Sequence, residues 1–141
     1  MKRTATAVWM GDLKKGKGSL TTQSKTLSDT QYGFQSRFES GTGTNPEELI
    51  AAAHAGCFTM AFSAFLGKAG FTTEKLSTEA ALSFDQVKED WTITTIDLNL
   101  TGRVPNIDEK RFLEIANEAK EKCPVSRLLK AKINLNAKLE K

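Results

Sequence analysis

Two cysteines, Cys57 and Cys123, are the residues of this chain best suited to do chemistry. Cys57 lies inside an uncharged stretch, where a thiol is ordinarily inert packing, whereas Cys123 stands directly before Pro124 at the end of a helical pattern, where it is presented to something. A thiol reacts as its thiolate, and burial alone would push Cys57 above the free value of about 8.5. A reactive Cys57 therefore requires a cation beside it. Arg37 sits between Phe34 and Phe38 in a strand-like run just before a Gly-Thr loop, positioned to enter the protein interior. Glu47 is able to hold its guanidinium bidentately and turn it toward the thiolate. The bland alternative is an Arg37 that faces water.

His54, three residues before Cys57, shares a helix face with it. That spacing suits a Cys57-His54 nucleophilic hydrolase, or two metal ligands. The chain has only one histidine, so zinc would have to be completed by Cys123 or carboxylates, and no metal or cofactor is expected. The competing expectation is a core histidine hydrogen-bonded to backbone or to a neighbouring side chain. The run from Gly11 to Lys17 approaches a phosphate-binding loop, but Gly18 replaces the required Ser/Thr and a strand pattern follows, so a hairpin turn is expected. Gly41-Thr42-Gly43-Thr44 precedes a helix start, yet Glu47 and Glu48 would repel an anion there, and it reads as a capping loop.

A chain of 141 residues buries a proper core without a disulfide or metal staple, and one domain over 1–141 is expected. Its 20 basic and 17 acidic residues are interspersed, giving +3 without the basic stripe that nucleic-acid binding needs. The opening residues lack the apolar core of an export signal, so a cytoplasmic setting with reduced thiols is expected. Leu49 to Leu66 holds no Lys, Arg, Asp or Glu, which reaches the lower edge of a membrane span. It is built largely of alanine and glycine and sits between strand-like segments, so a helix buried at the centre of a soluble protein is the better reading.

That helix is signposted from Pro46 to about Ala69: Asn45 caps, Pro46 takes the first position, Glu47 and Glu48 suit the positive end of the dipole, and Lys68 and Gly70 mark the end. Three strands precede it, the third carrying Phe34, Ser36 and Phe38 on one face. After it come an alternating pair, Leu76 to Phe84 and Ile96 to Leu100, joined by a charged turn. A helix capped by Asp108 and ending near Cys123 precedes a last strand carrying Ile133, Leu135, Ala137 and Leu139. The order βββαββαβ predicts an α+β domain with mainly antiparallel sheet.

Four segments, Tyr32 to Phe38, Thr44 to Leu49, Ala53 to Phe58 and Lys122 to Ser126, together resemble the osmotically inducible protein C (OsmC) branch of the OsmC/Ohr family. The resemblance runs over essentially the whole chain, with Gly56 standing where alanine is common. It implies a cysteine-dependent peroxidase that reduces organic hydroperoxides, and hydrogen peroxide less efficiently. Cys57 matches the peroxidatic position, Cys123 the resolving one, and Arg37 and Glu47 the activating pair. The implied fold is an intertwined homodimer with sheets wrapped around two long central helices. The implied cycle passes through a Cys57 sulfenic acid and a Cys57-Cys123 disulfide, which an external dithiol, by resemblance of lipoyl type, must reduce. A non-catalytic thiol redox module is the further alternative.

In a straight helix Glu47 lies about 15 Å along the axis from Cys57 and on another face. Either the Arg37 and Glu47 serving a given Cys57 come from a partner subunit, or the helix breaks near Ala51 to Gly56.

Overall fold

The structure, a computed structural model, describes residues 1–141 as two compact units, Met1–Leu49 and Ile50–Lys141. In the first, β1 (Ala5–Met10), β2 (Lys17–Thr22) and β3 (Thr30–Tyr32) form an antiparallel sheet in that order. The segment expected to cradle phosphate poorly is the β1–β2 hairpin turn: Asp12 accepts the backbone N–H groups of Lys14 and Lys15, each at 2.9 Å, and Gly11 supplies the positive φ of 97°.

Phe34–Phe38 corrects the sequence reading. It is a short helix, α1, and not the end of a third strand, so Arg37 sits on a helix. Phe34 and Phe38 are spaced i, i+4, which places them on one face of a helix as readily as of a strand. The local polar bonds decide between the two. The Ser36 hydroxyl accepts the Gly33 N–H at 3.0 Å and lies 2.8 Å from the Thr44 carbonyl, closing a turn that a strand ladder does not contain. The two phenyl rings then pack with centroids 4.9 Å apart.

Helix α2 (Pro46–Lys68) starts as its caps predict, with Asn45 Oδ1 accepting the Glu48 N–H at 2.8 Å. The Glu48 carboxylate does not reach back to Asn45 and instead takes the Thr44 hydroxyl at 2.9 Å. The helix is unbroken through Ala51 to Gly56.

In the second unit, β4 (Lys75–Val87) and β5 (Asp90–Arg103) form a long antiparallel hairpin with a bulge at Ser83/Phe84, turned by Lys88 at φ 59°. The final strand, β6 (Lys132–Glu140), pairs with β5 in parallel. Between β5 and β6 run α3 (Glu109–Lys122), capped by Asp108 as expected, and the short α4 (Pro124–Leu128). Apolar faces of three elements build the core: Phe58, Phe62 and Leu66 of α2, Ile96, Leu98 and Leu100 of β5, and Phe112, Ile115 and Ala119 of α3. The Phe62 and Phe112 rings meet edge to face at 5.1 Å. Gly102 lets Phe112 lie against the β5 backbone, since a Cβ there would stand 2.9 Å from both Leu76 and Phe112.

The burial of α2 departs from the expected all-round burial. His54, Phe58, Phe62 and Leu66, spaced four apart, are fully buried, while Ala53, Gly56, Met60, Ala64 and Gly67 on the other side are exposed within one chain. The uncharged composition is explained on the first face only. With a mean hydropathy of 1.7, α2 is also long and apolar enough to cross a membrane by length and composition.

Phe62→Ala empties the centre of this core and is expected to cost about 3–5 kcal/mol of unfolding free energy in urea titrations. A loss under about 1 kcal/mol would contradict the placement of Phe62 at the α2–α3 contact.

Candidate active site

The candidate residues fall in two clusters, one in each unit. In the first unit, α1 carries Arg37 and the opening turn of α2 carries Glu47. The guanidinium grips the carboxylate with Nε and Nη2, at 3.0 and 2.8 Å from Oε1. Glu47 is buried, so the pair gains from a lower local dielectric than a surface ion pair meets. Asn45 fixes the geometry from both ends: its Nδ2 donates to the Ser36 carbonyl at 2.9 Å while its Oδ1 caps α2. The guanidinium carbon also lies 5.2 Å from the Phe38 ring centre. Beyond it, Trp9, Leu13, Tyr32, Phe34, Phe38 and Arg37 line an apolar cavity of about 260 Å³. A carbon-rich ligand fits such walls, with the arginine as their charged member.

In the second unit, Cys57 is half-buried on α2 and Cys123 is fully buried where α3 ends. Cys123 adopts extended geometry, φ −56° and ψ 125°, because the following proline excludes the helical region, and Pro124 then opens α4. This break turns the chain back on α2. Burial pushes the Cys57 thiol above its ordinary value, the Val125 backbone N–H directed at its sulfur pulls it down, and the adjacent Cys123 thiol pushes it up again. The two sulfurs are therefore neighbours, both reduced, and none of these influences is a cation.

His54, one helical turn before Cys57, is directed elsewhere. Its Nε2 lies 2.7 Å from the Ser126 hydroxyl on α4, and its Nδ1 is buried without a partner. That agrees with a core histidine bonded to a neighbouring side chain and gives the hydrolase alternative no Cys57-His54 hydrogen bond. Desolvation holds its pKa below the ordinary range.

Residues 39–138 match the family model described as OsmC-like protein. The chain belongs to the OsmC-like family. Over 134 residues, 95% of this chain and 94% of the relative, it is 50% identical to the protein called Peroxiredoxin OsmC in Escherichia coli K12. It is 30% identical over 102 residues, 72% of each chain, to the organic hydroperoxide resistance protein OhrB of Bacillus subtilis 168. The fold of an OsmC-like protein from Mycoplasma pneumoniae matches over 100% of this chain and 99% of the other, with a TM-score of 0.78 at 18% identity. The family fold thus accounts for the two three-stranded sheets and the helices around them.

Sequence patterns pointed to Cys57, Cys123, Arg37 and Glu47, and the structure forms a Cys57/Cys123 contact and an Arg37/Glu47 ion pair. They gave no role to Ser126, Val125 or the cavity residues Trp9 and Tyr32. Only the backbone reversal at Cys123-Pro124 hinted that the next residues return to α2.

A histidine held neutral by burial adds stability that is fully present above its unfolded pKa near 6.5 and is lost as pH falls below it. Urea midpoints should therefore drop between pH 7.5 and 5.5 more steeply in the wild type than in His54→Gln. Parallel profiles would contradict a buried, neutral His54.

Proposed function

We propose that this chain is a thiol-dependent peroxidase that reduces organic hydroperoxides to alcohols, and hydrogen peroxide less efficiently, as part of an oxidative or osmotic stress response. The observation that carries the reading is the reduced Cys57/Cys123 contact in a chain half identical to a protein named as a peroxiredoxin. The names of the organic hydroperoxide resistance relatives, together with the apolar cavity walled by Trp9, Tyr32 and Phe34, support a carbon-rich peroxide.

The Cys57 thiolate attacks the terminal oxygen of ROOH, the O–O bond breaks, and RO⁻ leaves to be protonated as the alcohol, so that Cys57 becomes a sulfenic acid. Arg37, oriented by Glu47, stabilises both the thiolate and the charge developing on the leaving oxygen. Cys123 then closes a disulfide with Cys57, and an external dithiol of lipoyl type reopens it. No metal or cofactor takes part, and the enzyme acts in the cytoplasm.

The active unit is a homodimer. A single chain leaves one side of α2 exposed, with Met60 at 77%, an apolar face a second copy would cover. Because α2 is unbroken, Glu47 stays about 15 Å along the axis from Cys57, and the partner subunit's Arg37 and Glu47 serve each thiol.

Peroxide consumption with a dithiol reductant should vanish in Cys57→Ser and fall on the order of 10²-fold in Arg37→Ala. Mixing these two inactive variants tests the shared site, because a hybrid dimer then holds one site with both an intact Cys57 and an intact Arg37. Recovery of about half the activity expected per hybrid supports sharing between subunits, whereas no recovery in a verified hybrid means that each chain serves itself. Wild-type protein that consumes no organic hydroperoxide would overturn the peroxidase reading.

A further inference from the structure

The His54–Ser126 hydrogen bond joins α2 to α4 across 72 residues of sequence, and both of its ends lie three residues from a cysteine: His54 before Cys57, Ser126 after Cys123. The Cys123 thiol and the Val125 backbone N–H, which both act on the Cys57 thiol, lie in the turn just before Ser126. Within that turn Cys123 is fully buried and Val125 packs against the core, so the hydrogen bond adds a directional tie to an apolar seat. α4 is five residues long, none of them buried, and Leu128 at its end is 77% exposed. The bond to His54 is the hydrogen bond that joins a side chain of α4 to a side chain of α2.

The chemistry of the imidazole fixes the sense of this bond. His54 is fully buried and Nδ1 has no partner. An orphaned N–H in the interior is costlier than an orphaned lone pair, so the proton resides on Nε2 and is donated to Ser126 Oγ. Loss of the hydroxyl would leave that donor unsatisfied as well, which makes the latch stronger than an exposed hydrogen bond of the same length.

We propose that His54 and Ser126 are positioning residues for disulfide closure, a latch that keeps the Cys123 turn seated on Cys57 while the sulfenic acid forms. The inference rests on the peroxidase reading above. In the step it governs, the Cys123 sulfur attacks the Cys57 sulfur of the sulfenic acid, the S–S bond forms, the S–O bond breaks, and hydroxide leaves with the Cys123 proton as water. The competing step needs a second peroxide: ROOH transfers another oxygen to the same sulfur, giving sulfinic acid and ROH. The latch favours closure because it keeps the resolving thiol within reach, whereas an unlatched turn lets the second oxidation compete.

The test adds excess cumene hydroperoxide to reduced wild type, Ser126→Ala and Ser126→Thr, and follows intact mass with time alongside thermal unfolding. Ser126→Ala should show a several-fold larger fraction carrying two added oxygens and slower loss of two hydrogens, with Ser126→Thr, which keeps the hydroxyl, near the wild type. A Ser126→Ala protein that unfolds at lower temperature yet closes its disulfide as fast as the wild type would reduce the bond to packing and overturn the latch. Should Ser126→Ala not fold, His54→Gln, whose amide is able to donate to Ser126, is measured instead. It should close faster than His54→Leu, and equal rates would overturn the proposal. Wild type that forms no disulfide at all would overturn the peroxidase reading first, an outcome distinct from a wild type that closes and a variant that closes equally well.

Discussion

The arrangement of this protein turns on one electrostatic conflict: Cys57 must carry charge to react, yet it sits on a helix with no charged side chain from Leu49 to Leu66. Burial opposes the thiolate, and the neighbouring Cys123 thiol opposes it too. The one favourable influence from its own unit is the backbone N–H of Val125, a dipole and not a full charge. An external cation is therefore what the proposed chemistry lacks within this cluster, and the first unit holds one in a fixed geometry. The Arg37 fork, closed on a buried Glu47 and supported by Asn45, loses little freedom when it meets an anion, because its orientation is already set.

The same conflict gives meaning to the unusual surface of α2. A helix that is apolar on every side has no reason to remain so unless both sides are covered, and one chain covers the side of His54, Phe58, Phe62 and Leu66. The small residues Ala53, Gly56, Ala64 and Gly67 on the other side allow another backbone to approach closely. In the proposed dimer, the contact that completes the core of the assembly is also the one that brings the activating cation to the thiol. Folding, assembly and reactivity are then one design, and a free chain would hold a thiol whose pKa is raised.

Much of this was legible in the residues themselves. The Asn45-Pro46 start of α2, the Asp108 cap of α3 and the alternation of β6 were each stated by a local signal whose physics is local, and the structure follows them. Phe34 to Phe38 was misread as a strand because five residues with apolar ends satisfy both periods, and the deciding bonds from Ser36 involve Thr44, eight residues on. The one-sided burial of α2 was hidden because composition reports that a helix avoids water, not which faces a single chain covers. Ser126 stood in a segment of the family resemblance but carried no signal for its bond to His54. Its partner is 72 positions away, and only the fold makes them neighbours.

In the proposed cycle Cys57 and Cys123 act as one redox pair within one chain. The most direct measurement adds one equivalent of cumene hydroperoxide to fully reduced protein and reads intact and peptide masses without reductant. A loss of two hydrogens mapping to a Cys57–Cys123 bridge inside a single chain is expected. A single added oxygen that persists on Cys57, or an unmodified chain, would contradict the cycle.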